Sequence, residues 1–254
     1  MSGHSKWATI KRKKGANDAA RGRLFTRLIK EITVAAKNGG GNPDGNPRLR
    51  LAIDGAKANN MPADNIKRAI QKGTGELQGV SYEEVIYEGY GPGGVAILVE
   101  AVTDNGNRTV SEMRHTFSRS NGNLGTAGSV AWMFQRKGSI VVPRSGQRKP
   151  LTEDDLLAVV LDAGADDMQT EEDAFTVVAS PQAFETVRKA IEASGIVIQE
   201  ATLQMVPQNT VKITGKDAEH LMKLMEALEE HDDVQNVFAN FDIDEKELAA
   251  LSNA

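Results

Sequence analysis

Apolar residues recur along this chain at two different periods, and the change from one to the other divides it. Over residues 17–74 the spacing is helical. At about 100° per residue, Phe25, Leu28, Ile29, Ile32 and Ala36 share one face of a helix predicted over 17–37 and ended by Gly39-Gly40-Gly41. Arg23, Arg27, Lys30 and Lys37 fall on the opposite side of that helix, where solvent is expected. The stretch GGGNPDGNP is turn chemistry. A second helix is predicted from Asn46, with Pro47 in its first turn and Leu49, Ala52, Ile53 and Ala56 as its stripe. A third starts at Pro62, with Ile66, Ala69 and Ile70 inward and Gly73 as its stop. None would be stable alone, but together they can bury one core.

Past a linker, KGTGELQG, the period shortens to that of strands. EEVIYEGY and GVAILVEAV are joined by Gly91-Pro92-Gly93-Gly94, then a helix is expected near 107–120 and a strand near 129–135. From residue 138 the order strand, helix, two strands, helix, strand makes a β-α-β-β-α-β unit. A helix at 216–230 and a strand at 234–241 complete the earlier half. The predicted class is α+β: an N-terminal three-helix module followed by two ferredoxin-like-type α/β domains, the third domain inserted in the second. The expected boundaries are a basic arm at 1–15, a helical domain at 16–75, an α/β domain at 80–136 plus 207–245, and an inserted domain at 137–206.

Charge sharpens this division. Residues 1–75 hold sixteen Lys/Arg against five Asp/Glu, while the remaining 179 hold fourteen against thirty. The net −5 therefore hides a strongly basic opening, which points to a polyanion partner. The opening residues MSGHSKWATIKRKKG have no secondary-structure period and read as an arm that orders on such a partner. The expected phosphate-holding residues are Lys6, Lys11, Arg12, Lys13 and Lys14 of the arm, with Trp7 placed to stack on a base or to pack on the module. Arg21, Arg23, Arg27 and Lys30 on the first helix, and Arg48 and Arg50 on the second, join them. Arg108, His115 and Arg119 on the helix near 107–120 form a secondary set.

Signals for catalysis or metal are absent from the sequence. Cysteine is missing, so there is no disulfide, thiolate site or Cys nucleophile. His4, His115, His220 and His231 are isolated and match no metal-ligand spacing. The acidic stretch 162–173 fails as a calcium loop because Asp167 stands where glycine is required. The glycines at 73, 75 and 79 follow a helix, whereas a dinucleotide fingerprint follows a strand. No cofactor is expected. Nothing in the sequence forms a membrane span or signal segment, and a monomeric cytoplasmic protein is expected.

The run GHSKWATIKRKKGANDAARGRLFTRLIKEITVAAKNGGGNP resembles the opening signature of the YebC family. RLRLAIDGAKANNMPADNIKRAIQKGTG, YEGYGPGGVAILVEAVTDNGNRTVSEMRHTFSRSNGNLG and GSVAWMFQRKG are similar to its following blocks, so the resemblance covers nearly the whole chain. It implies a helical bundle followed by two α/β domains. It also implies a non-catalytic regulator of gene expression, the family being labelled as probable DNA-binding transcriptional regulators. Other members act as translation factors, through a mitochondrial activator of cytochrome oxidase subunit synthesis and bacterial forms linked to ribosomes stalled on proline-rich sequences. The resemblance therefore leaves two partners open: DNA, or RNA on the ribosome. The signature begins at Gly3, which suits the bacterial form.

Overall fold

Asn46 shows how the sequence builds the first layer. Its side chain accepts from Leu49 N (3.1 Å), capping the second helix, and donates to Ala35 O (2.8 Å) and Gly40 O (2.9 Å), tying that cap to the end of the first. In the computed structural model, which describes residues 18–171, 173–244 and 247, the helices are α1 (Asp18–Gly39), α2 (Pro47–Ala58) and α3 (Ala63–Thr74). They share the expected core of Ile32, Ala36, Leu49, Ile53, Ala56, Ile66 and Ala69. The stop of α3 differs from expectation. The helix runs past Gly73 and ends at Gly75, whose φ of 81° suits the left-handed cap. Gly73 instead lets two helices touch, since a Cβ there would stand 2.8 Å from the Cβ of Ala36 and 3.1 Å from Lys37 N.

The described chain forms two compact units, one of residues 132–209 and one of everything else, so the three helices and the first sheet belong together. In the larger unit β1 (Glu83–Tyr90) and β2 (Ala96–Thr103) make the expected hairpin, Glu83 opposite Thr103 and Tyr90 opposite Ala96. After α4 (Gly106–Arg119), β3 (Asn123–Leu124) pairs beside β1. From the far end of the chain, α7 (Gly215–Glu229) and β9 (Val234–Ala239) return, and β9 pairs with β2. The sheet order is β3-β1-β2-β9, and its core joins Ile97 and Val99 to Met113 and Phe117 of α4 and to Leu221, Leu224 and Leu228 of α7. A short parallel pair, β8 (Val211–Lys212) with β10 (Phe241–Asp242), completes this unit.

The smaller unit is the expected insertion. β4 (Phe134–Pro143), α5 (Glu153–Asp162), β5 (Asp167–Thr170), β6 (Ala174–Ala179), α6 (Phe184–Ala193) and β7 (Glu200–Pro207) form an antiparallel sheet of order β5-β6-β4-β7, the ferredoxin-like arrangement. The separate strand expected near 129–135 is absent. Residues 134–143 form one continuous strand, and the place beside β1 goes to the two-residue β3. Gly138 lies inside β4, and the Phe184 ring packs where its Cβ would be. No helix among the described residues is long and apolar enough to cross a membrane.

Candidate nucleic-acid interface

The arm residues Lys6, Trp7, Lys11, Arg12, Lys13 and Lys14 lie outside the described residues. The other expected contacts are in view, and most are already engaged within the protein. Arg21 is exposed, with its guanidinium 5.5 Å from the Phe25 ring centroid. Arg23 pairs with Glu230 at 3.0 Å. Arg27 is half-buried with no hydrogen-bond partner for its Nε among the described residues, and burial pulls its guanidinium pKa below the ordinary value, opposed by Glu229. Arg48 is held by Glu31 (2.7 and 3.0 Å) and by Glu84 (2.6 and 3.1 Å), which raise its pKa. Arg50 donates to the carbonyls of Pro43 and Asp44 and so fixes the α1–α2 loop.

Lys30 corrects the expected helical exposure most clearly. It is 7% exposed, and its ammonium donates to Asp233 Oδ1 (2.7 Å), Asp232 O (2.9 Å) and Val102 O (3.2 Å). Thr33 and Val34 on the same side are buried too. On the side of α1 opposite its apolar stripe, Arg23 and Lys30 meet Glu230 and Asp233, so part of the basic opening is neutralised by the body of the same chain. The ammonium cannot hold a phosphate while it fills that site.

Besides Arg21, the helical module has further exposed cations on α2 and α3. Lys57, Lys67, Arg68 and Lys72 are exposed and have no ion-pair partner among the described residues. The sequence carried a signal for three of them. In α3 Ile66, Ala69 and Ile70 take one side, which leaves Lys67, Arg68 and Lys72 the other.

The Lys30 site belongs to a larger network. Asp233, 4% exposed, also accepts from Arg108 (2.7 Å) and Thr109 (2.8 Å). Burial pushes its carboxyl pKa up, but the hydrogen bonds from Lys30, Arg108 and Thr109 hold it well below the usual carboxylate range. Arg108 bonds Asp104 as well (3.0 Å), so this member of the secondary set is committed inside the protein. His231 accepts from Asp233 N through Nδ1 (3.1 Å), which leaves Nε2–H to donate to Glu112 (2.9 Å). An open groove of about 970 Å³ runs beside this network, between Thr26 and Lys30 of α1 and Arg108, Glu112 and His115 of α4. Glu112, His231 and Asp233 bring ligand-type atoms within 4.8 Å of one another. Lys30 and Arg108 already supply the positive charge that a metal would bring, so the cluster reads as an ion-pair network. His115 and Arg119, the rest of the secondary set, are exposed on α4.

The sequence matches two family models, described as TACO1/YebC protein N-terminal domain over residues 5–76 and TACO1/YebC second and third domain over residues 82–241. A probable transcriptional regulatory protein of Geobacter sulfurreducens is 60% identical over 251 residues, covering 99% of this chain and 100% of that one. Another from Solibacter usitatus is 59% identical over 252 residues with the same coverage. The crystal structure of a conserved hypothetical protein from Aquifex aeolicus superposes with a TM-score of 0.82 at 49% identity, over 89% of this chain and 92% of that chain.

Proposed function

The chain belongs to the TACO1/YebC family of regulatory proteins, and from that premise we propose that it is a non-catalytic, nucleic-acid-binding regulator of gene expression, acting in the cytoplasm as a monomer. The observation that carries the reading is the set of exposed cations Lys57, Lys67, Arg68 and Lys72, which have no ion-pair partner among the described residues, on the module that follows the basic opening. Cations without carboxylate partners keep their full charge available to phosphates, whereas Arg23 and Arg48 do not. The relatives' names speak of transcriptional regulation, a role in which DNA would be the ligand.

The test uses the full chain, because Lys30 of α1 is buried on Val102, Asp232 and Asp233, and a fragment ending at residue 75 would expose it. Changing Lys57, Lys67, Arg68 and Lys72 together to Ala should shrink the slope of log K against log salt by roughly 3 to 4 on duplex DNA, at about 0.9 per phosphate contact. An unchanged slope overturns the assignment of these residues.

One observation favours a second reading, a translation factor that binds RNA. Arg48, Arg50 and Arg108, whose forked guanidiniums could read guanine, are committed within the protein. Three of the four cations on α2 and α3 that lack an ion pair among the described residues are lysines, which hold phosphates as point charges. Such a surface tracks a backbone without reading bases. It should discriminate less than about tenfold between unrelated duplexes at physiological salt, against ~10³ or more for specific regulators. A preference of that larger size, measured by competition, returns the reading to DNA.

A further inference from the structure

The acidic body is not acidic throughout. From Met113 to Thr152 it holds seven Lys/Arg and no Asp or Glu, although the body as a whole is strongly acidic. The tract begins in the C-terminal half of α4, where Arg114, His115 and Arg119 are all exposed. None of the three has an ion-pair partner among the described residues. They contrast with Arg108 in the first turn of the same helix, which is consumed by Asp104 and Asp233. Arg119, in the last turn, also complements the carbonyl end of the helix. Arg114 and His115 have no such local role. The positions opposite them, Met113 and Phe117, are fully buried, so the helix cannot rotate to hide the cations.

We propose that this half of α4 is a second nucleic-acid contact, gripping the phosphodiester backbone through Arg114 and Arg119 with His115 between them. The inference rests on the nucleic-acid reading above and adds that the acidic body binds directly. It replaces the secondary set read from sequence: Arg108 leaves it and Arg114 enters. Glu112, the acidic position just before this half of the helix, is taken by His231, so the exposed charge from Arg114 to Arg119 is positive only.

The experiment compares three double variants of the full chain on a mixed-sequence DNA duplex and on a mixed-sequence single-stranded RNA. The variants are R114A/R119A on α4, K67A/R68A on α3, and K189A/K212A, which removes two exposed lysines outside both regions. All six side chains are exposed, so unchanged melting temperatures show that each variant is folded. The expected result is that R114A/R119A and K67A/R68A each lower the salt slope by about 2 on the duplex and about 1.4 on the single strand. K189A/K212A should match wild type. If R114A/R119A also matches wild type while K67A/R68A falls, the α4 contact is refuted and the general reading survives. If neither falls, or wild type binds neither probe, both are refuted.

Discussion

Lys30→Met should lower the unfolding free energy by about 3–5 kcal/mol, the range for removing one partner of a buried ion pair. Met keeps the length of the stem but takes away the ammonium. Asp233 then remains buried with only Arg108 and Thr109, and the carbonyls of Val102 and Asp232 lose their donor. Adding Asp233→Asn should recover part of the loss, since the two sites share one network and their effects are not additive. Urea denaturation of the two single variants and the double variant measures both. A loss below about 1 kcal/mol for Lys30→Met would mean that the site relaxes or takes up water at little cost. The same variant separates stability from binding. Where it is folded, its salt slope on duplex DNA should equal that of wild type, and a slope smaller by about one would restore Lys30 to the phosphate surface.

Lys30 also marks where the sequence stops being readable. The apolar stripe of α1 fixed the helical phase, and the core of Ile32, Ala36, Leu49 and Ile53 follows from it. Periodicity identifies the buried side of a helix, but it does not say whether the other side meets water or a second surface. The partner of Lys30 is 203 residues away, on the return path into β9. The only local hint was the run Glu229-Glu230-His231-Asp232-Asp233, acidic where α1 is basic. Gly73 and Gly75 pose the same problem at smaller scale. Both are glycines near a helix end, and only the approach of α1 makes one a contact and the other a cap. The ferredoxin-like unit was legible because its strands and helices are consecutive and its pairings close locally. The place beside β1 was not, since two residues of β3 carry no period.

Charge density and available charge part for a related reason. The first helix has the densest row of cations, but the row lies against the acidic end of the body and is largely spent there. A sparser pattern holds the cations of α3, which keeps Ile66 and Ala69 inward and leaves Lys67, Arg68 and Lys72 without an ion pair among the described residues. Positive charge in the sequence measures a capacity for phosphate. Only unpaired, exposed charge measures what is available.

Glu88→Gln should cost about 3–5 kcal/mol and should also flatten the acid side of the stability curve. Glu88 is buried in β1, and its carboxylate accepts three backbone N–H groups: Gly128 (2.6 Å), Val130 (2.7 Å) and Ala131 (2.7 Å). These bonds pin the segment that leads from β3 toward β4. Gln can accept on one oxygen only, and its amide nitrogen would face at least one N–H donor left without a partner. Hydrogen bonds to a charged group contribute about 1.5–3 kcal/mol each, and an orphaned buried donor costs a further 1–3. Desolvation pushes the Glu88 carboxyl pKa up, but the three N–H groups outweigh it, so the folded value lies below the ordinary 4.5. The sign follows. A depressed carboxyl contributes stability that is fully present above its unfolded pKa and is lost as pH falls through the folded one. Wild-type stability should therefore fall as pH drops below about 4.5, and in Glu88→Gln that part of the fall should vanish. Asp233, depressed in the same direction, leaves a residual slope at lower pH in both proteins. Urea midpoints measured from pH 7 down to pH 3 give the comparison. Parallel curves for the two proteins would show that Glu88 does not release these N–H groups in that range, and that the acid lability lies elsewhere.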